Sequence, residues 1–150
     1  MSEPRPSAVR KRILREHTEI RGLLDRLERA AKGLHTGKAG ALAEARELRD
    51  TLCERLKAHV DLEDAVLAPA LRDADAWGDV RADKLVTHHR EQREELDAIE
   101  HEQGRSDSGY AQRLLALVED IRKDMMHEEK DLLTDELLRD DVVSIYPEDG

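Results

Sequence analysis

Two stretches of the chain place a histidine four residues before a carboxylate. In the first, His59 precedes Glu63, and in the second, His127 precedes Asp131. Residues four apart on an α-helix lie one turn above each other on the same face, so each pair could bind one metal ion. We interpret the rest of the chain as the scaffold that brings the two pairs face to face.

Hydrophobic periodicity and glycine-containing loops divide the chain into four helices. Apolar residues recur at steps of three and four, which is the spacing of one helical face. Ser7 and Asp79 are the expected N-caps of the first and third helices, and Pro69 is expected to kink or end the second. We predict helices over about residues 7–34, 41–72, 80–103 and 110–138.

Composition and loop length favour a helical bundle. Charged residues make up 40% of the chain and there is no Phe, which is typical of long amphipathic helices and not of sheets. Loops of roughly three to eight residues favour antiparallel neighbours. We therefore predict an all-α fold in a single domain over residues 1–150: an antiparallel up-down-up-down four-helix bundle over about 7–138, with a short C-terminal tail over 139–150.

Two further histidines lie on the inward stripes of these helices. His17 falls between Ile13 and Ile20 on the first helix, and His89 lies four residues after Leu85 on the third. On the second helix the inward stripe is predicted to continue beyond Glu63 through Val66 and Ala70. On the fourth helix, the polar positions that share a side are Asp124, His127 or Glu128, and Asp131.

The distance along the helix from each group to the nearest turn tests whether these groups meet. His17 and Asp61, at the centre of the first pair, lie at similar separations from the first turn, and Asp61 and His89 lie at similar separations from the second. Across the third turn, His89 and the second pair agree less closely, within the uncertainty of the predicted helix ends. Because the helical rise is the same for every residue, all four helices bring a histidine to roughly one layer.

Each of these groups also has an ordinary interpretation. A single inward histidine is commonly a hydrogen-bonded core residue, and a histidine–carboxylate pair is common on charged helix surfaces. Six such groups at one depth would make a costly core, since each buried polar group without a partner costs about 1–3 kcal/mol. A bound metal resolves this cost, and the candidate ligands are His17, His59, Glu63, His89, His127 and Asp131.

The donor types restrict the metal. Imidazole and carboxylate ligands without a thiolate suit iron or manganese better than zinc, and six groups exceed what one tetrahedral zinc needs. Two metals that share bridging carboxylates would use the set better. On the third helix His88 points about 100° away from His89, so we choose His89 for its place on the stripe, with His88 and Gln92 as alternatives.

Charge and hydropathy exclude several other functions. The net charge is −10, which disfavours a nucleic-acid partner. No apolar run approaches the roughly 20 residues that span a bilayer, and the first residues lack the apolar segment of a signal peptide. A single cysteine, Cys53, fits a reducing compartment. We expect a cytoplasmic protein without a membrane partner.

At these residues the sequence resembles the hemerythrin-like (HHE cation-binding) domain family over about residues 9–138. The resemblance rests on His17, on His59 with Glu63, on a histidine of the third helix, on His127 with a carboxylate at 131, and on the segment Val66-Leu67-Ala68-Pro69-Ala70-Leu71. It implies a four-helix bundle with two non-haem iron ions. Carried over by position, Glu63 and Asp131 would bridge the irons, and His17, His59, His89 and His127 would be terminal ligands.

The chain departs from the pattern of the family's oxygen carriers on the third helix. Those proteins commonly place two histidines four residues apart there, whereas Leu85 and Arg93 stand four residues from His89. One iron would then keep an open or water-filled position. The resemblance implies binding of O2 or a related small oxidant, with H2O2 and NO as further candidate ligands. The alternatives are an enzyme that removes peroxide or nitric oxide at the same centre, and an iron-storage or iron-sensing protein.

Overall fold

The structure, a computed structural model, describes residues 4–141. Its regular elements over that range are all helical, as the sequence predicts, and four of them are long. Residues 142–150, most of the predicted tail, lie outside the described residues. The elements are α1 (Pro6–His35), α2 (Ala41–Leu62), a π-helical turn (Glu63–Leu67), α3 (Ala68–Ala74), α4 (Gly78–Glu100) and α5 (Asp107–Asp131).

The predicted N-caps of two helices are wrong. Helix α1 follows Arg5 and begins at Pro6, where proline suits the first turn because its missing N–H has no helical acceptor there. Ser7 instead donates its hydroxyl to Asp140 Oδ2 at 2.6 Å. Asp79 lies one residue inside α4, within the first turn. Among the helices of residues 4–141, α5 has a side-chain N-cap: Ser106 accepts a hydrogen bond from the Gly109 N–H.

The predicted second helix is interrupted by the π-helical turn, which lies before Pro69. The Ala68 N–H donates to the Glu63 carbonyl, five residues back, and Pro69 has no N–H with which to continue the α-helical pattern. The additional residue in the turn shifts the inward stripe by one position. Leu67 and Leu71 are therefore the buried residues, and the predicted inward positions, Val66 and Ala70, are only partly buried.

The fourth long helix is shorter than predicted. Helix α5 ends at Asp131, whereas the periodicity extends to Leu138 because Leu138 is also buried. The Leu132 and Leu133 N–H groups both donate to the Glu128 carbonyl, which closes the helix. The chain then continues without regular helix and packs Leu133 and Leu138 on the core.

Two apolar clusters fill the interior, and they lie on either side of a polar layer. The larger cluster extends from Ile20 on α1 to Met125 on α5. The smaller cluster joins Val9 and Ile13 of α1 to Leu67, Leu71 and Leu85, together with Leu133 and Leu138. No helix within residues 4–141 combines the length and apolar character that crossing a membrane requires.

Candidate metal centre

Histidine and carboxylate side chains from each long helix, or the turn that follows it, meet in the polar layer between the two clusters. His17 and His89 are 0% and 1% exposed, and His59 and Glu63 are 4% and 1% exposed. One ligand atom from each of His17, His59, Glu63 and Glu128 lies within 4.8 Å of the others. His89 joins this group through its Nε2, which lies 2.9 Å from Glu63 Oε1.

All three buried histidines direct the same ring nitrogen towards the centre. The Nδ1 atom of each ring contacts a carboxylate on the outer side of the layer. Because that carboxylate accepts the Nδ1–H, the Nε2 atom faces inward, where its lone pair is available to a metal, which is how histidines that bind metals are commonly oriented. The Nδ1 contacts are His17 with Glu129 at 2.7 Å, His59 with Glu16 at 2.7 Å, and His89 with Asp64 at 2.6 Å.

Arginines hold two of these outer carboxylates in place. Arg21 lies 2.8 Å from Glu129, and Arg93 lies 2.7 Å from Asp64. Each arginine follows a buried histidine by four residues, one helical turn later. The rings of His17 and His89 are therefore oriented through a carboxylate that is itself fixed from the surface.

Three polar atoms at the centre are buried without a hydrogen-bond partner. They are His17 Nε2, Glu63 Oε2 and Glu128 Oε1. His17 Nε2 and Glu128 Oε1 are 3.1 Å apart, but the geometry does not form a hydrogen bond. Leaving such groups unpaired costs about 1–3 kcal/mol each, whereas a cation would accept all three lone pairs. The imidazole and carboxylate donors are those that first-row transition metals bind, so these residues fit a metal.

The carboxylates at the centre have strongly shifted proton affinities. Burial and the neighbouring Glu63 raise the pKa of Glu128 well above its usual value. Burial alone would raise the pKa of Glu63 too, but its contacts with Glu128, His59 and His89 lower it. In the metal-free protein, folding therefore favours a proton on Glu128 and the ionised form of Glu63.

Two of the histidines are shifted in opposite directions. Burial lowers the pKa of His17 despite its bond to Glu129. Burial also acts against protonation of His59, but the carboxylates of Glu63 and Glu16 outweigh it and raise its pKa. The layer is therefore a set of coupled groups in which a cation and protons compete for the same lone pairs.

The contacts of the centre repeat between the two halves of the chain. His17 of the first half corresponds to His89 of the second, and the consecutive acids Glu63-Asp64 recur as Glu128-Glu129. His17 contacts Glu128 and Glu129, and His89 contacts Glu63 and Asp64. The segments α1–α2 and α4–α5 thus supply equivalent halves of one site.

The structure brings together four of the six sequence-derived candidates: His17, His59, Glu63 and His89. The other two, His127 and Asp131, are exposed on α5 and do not belong to the buried group. The candidate that sequence reasoning did not choose is Glu128. The signal for it is the pair of consecutive acids Glu128-Glu129, which repeats Glu63-Asp64. When the two helices are aligned on these acids, Asp124 and not His127 corresponds to His59.

The alternatives on the third helix are separated by burial. His89 is 1% exposed, whereas the His88 side chain is 47% exposed and its Nε2 lies 3.1 Å from Asp124 Oδ2. Gln92 is half-buried. The inward stripe therefore selects the right histidine for burial in the polar layer.

An all-helical fold with a buried layer of imidazoles and carboxylates defines a class of metal-binding proteins. Comparison with protein families identifies the family: the model of the hemerythrin HHE cation-binding domain matches residues 9–135. The chain belongs to this family, which confirms the resemblance. No match to the chain was found among curated proteins or solved structures.

Proposed function

We propose that the chain is a non-haem di-iron protein that binds O2 or a related small oxidant. The observation that carries the proposal is the set of buried nitrogen and oxygen atoms without partners, at His17, Glu63 and Glu128, in a chain of a cation-binding family. The proposed ligands are His17, His59, Glu63, His89 and Glu128. Glu128 replaces the exposed His127 and Asp131 of the sequence-derived set.

The side chains have distinct proposed roles. Glu63 and Glu128 each contact a histidine of the other half through one carboxylate oxygen. This arrangement would allow each carboxylate to bridge two ions. Iron, when bound, supplies reversible one-electron redox chemistry at the centre. The Nδ1 bonds hold the histidines in the tautomer that presents Nε2, and the apolar clusters on both sides limit access of water.

The contacts between helices support an antiparallel arrangement. At one end, Arg10 near the start of α1 donates to the Leu133 carbonyl after α5. At the other end, Ser108 near the start of α5 lies 3.1 Å from the ring of His35, the last residue of α1. These contacts support the up-down-up-down topology that the loop lengths predict.

The same relation holds between α2 and α4. Lys57 bonds to Asp97 at 2.6 Å, and Asp61, further along α2, bonds to Arg93, earlier on α4, at 2.7 Å. In such a bundle the layer of ligands lies across all four long helices. We also propose a cytoplasmic location, on the grounds of composition and the single cysteine, and a small ligand such as O2, H2O2 or NO.

Iron loading tests the proposal. We expect protein loaded under anaerobic conditions to hold roughly two ions per chain, as sites with a bridged metal pair do, and to develop an absorption band that appears with O2 and fades on its removal. Fewer than about one ion per chain would contradict the di-iron assignment. Sustained turnover of peroxide or nitric oxide after free iron is removed would favour the enzyme alternative.

A further inference from the structure

In each half of the centre, an inner residue beside the ligand atoms contacts an outer residue behind it, and we call this pair a corner. The equivalence between the two halves fails at one of the two corners. In the first half, His59 Nδ1 contacts Glu16 Oε1 at 2.7 Å. Asp124 stands one turn before Glu128, as His59 stands before Glu63, and His88 directly precedes His89, as Glu16 precedes His17. Asp124 and His88 also contact each other, with His88 Nε2 3.1 Å from Asp124 Oδ2. The contact is retained, but the imidazole and the carboxylate have exchanged places.

The exchange changes what lies closest to the centre. At the first corner the inner residue is an imidazole, and its side chain is only 5% exposed. At the second corner the inner residue is Asp124, which is shorter than histidine and 37% exposed. Asp124 lies outside the group of ligand atoms that converge within 4.8 Å. The second corner therefore lacks the imidazole that closes the first, and it is open to solvent.

The outer residue of the open corner is a hydrogen-bond donor. Because an ionised carboxylate only accepts hydrogen bonds, the contact with Asp124 requires a hydrogen on His88 Nε2. At the closed corner the equivalent outer residue is the acceptor Glu16. That hydrogen is committed to Asp124, so His88 holds the Asp124 carboxylate at the outer side of the corner, away from the converging ligand atoms. The position beside the centre is thereby left open to a small ligand.

We propose that the corner formed by Asp124 and His88 is where a small ligand from solvent reaches the metal centre. The ligand would be a small anion or diatomic molecule that binds through one end, and His88 would be the positioning residue that holds the Asp124 carboxylate clear of it. The inference rests on the proposed function, since it assumes that iron occupies the centre. It places the open position at Asp124 on α5, and not on the third helix, where the comparison with the oxygen carriers expects it.

Azide binding to the iron-loaded full chain tests this assignment. The double variant Asp124→His with His88→Glu copies the pair of the first half. We expect it to keep the wild-type iron content and to lose at least about tenfold in azide affinity, the lower end of the effect of altering groups around a metal. The measurements are the iron count and an absorption titration with azide.

A pair of single variants gives a matched comparison that does not depend on repacking the corner. His88→Ala changes a half-exposed residue and releases the Asp124 carboxylate to turn into the open position, so we expect it to weaken azide binding by about tenfold. His127→Ala removes an exposed histidine of α5 that is not among the proposed ligands. We expect it to leave azide affinity unchanged.

The outcomes separate the two levels of the proposal. Wild-type protein that holds no iron, seen before azide is added, would overturn the proposed function and this inference with it. Iron-loaded wild type that does not bind azide, or a loaded double variant that binds it as the wild type does, would overturn the corner assignment alone. If the double variant does not load, equal azide affinity in His88→Ala and His127→Ala would overturn it.

Discussion

At the scale of single residues, we expect substitutions of two neighbouring residues on α5 to have opposite effects on metal binding. Glu128 places its carboxylate 3.1 Å from the Nε2 of buried His17, whereas His127 is exposed. We expect Glu128→Gln to weaken metal binding by about a hundredfold or more, since it removes a charged ligand and even outer partners cost about 10–100-fold. We expect His127→Gln to leave affinity unchanged, as measured by calorimetry with Mn(II) or Fe(II).

A stability measurement separates loss of a ligand from loss of fold in these variants. Glutamine has nearly the shape of glutamate, and the substitution removes the need to bury a carboxyl beside Glu63. Metal-free Glu128→Gln should therefore melt no lower than metal-free wild type. If His127→Gln lost the metal as strongly as Glu128→Gln, the ligand set derived from sequence would be right and the one proposed from the structure wrong.

His127 and Glu128 also show how much of the candidate site could be predicted from sequence. His17 and His89 lie between buried apolar residues of their stripes, so periodicity identifies their inward direction. On α5 the last buried apolar residue before the site is Met125, and the residues between it and the end of the helix are mostly charged. Because α5 ends before apolar residues resume at Leu132, periodicity allows His127 or Glu128, and a preference for the histidine–carboxylate spacing selects His127, which the structure leaves exposed.

At the scale of elements, the widened turns explain the other difference between sequence and structure. A bond across five residues links the Ala68 N–H to the Glu63 carbonyl, and a second links the Leu133 N–H to the Glu128 carbonyl. The first begins at a carboxylate of the centre, which fits the frequent occurrence of π-helical turns at functional sites, whereas the second closes the C-terminus of α5. A stripe extrapolated at constant spacing cannot include the additional residue, so the sequence places Val66 inward in place of Leu67.

The junction of α3 and α4 depends on the absence of a side chain at Gly78. A Cβ atom there would clash with the Leu71 carbonyl oxygen and would lie 2.7 Å from that of Arg72. We expect Gly78→Ala to lower the free energy of unfolding by about 1–3 kcal/mol, as other overpacked substitutions do, because the backbone must move. Denaturant unfolding measures the change.

A second glycine provides the matched control for that substitution. Gly22 lies within α1, is exposed, and has no neighbour within 4 Å of an added Cβ. Gly22→Ala should raise the free energy of unfolding by about 0.5–1 kcal/mol through helix propensity. Equal effects of the two substitutions would contradict the close approach at Gly78.

At the scale of the whole molecule, the polar layer links stability to proton and metal binding. The folded chain buries three histidines and Glu63 between two apolar clusters, an arrangement that a cation would stabilise and that costs free energy without one. In the absence of metal, the proton on Glu128 partly takes the place of the cation. Metal binding must displace that proton, so metal affinity should rise with pH.

The pH dependence of the metal-free protein has a defined sign. The pKa of Glu128 is raised on folding, so its proton stabilises the folded state fully below the ordinary carboxyl value of 4.5. This stabilisation is lost as the pH rises through the raised pKa. The lowered pKa of His17 opposes this loss below about pH 6.5, whereas the raised pKa of His59 adds to it above that pH. We therefore expect the free energy of unfolding in chelator, taken relative to that of Glu128→Gln, to fall as the pH rises above about 5.

Denaturant unfolding at a series of pH values, with and without metal, measures this dependence. Glu128→Gln has no proton to lose at that position, so its difference from wild type isolates the Glu128 carboxyl. The decline should be reduced in metal-loaded wild type because the cation competes with the proton for that carboxylate. A difference that stayed level over the same range would mean that Glu128 is already ionised in the folded chain. The two carboxylates would then be held apart, and the centre would have to gain its bridging geometry only when a metal binds.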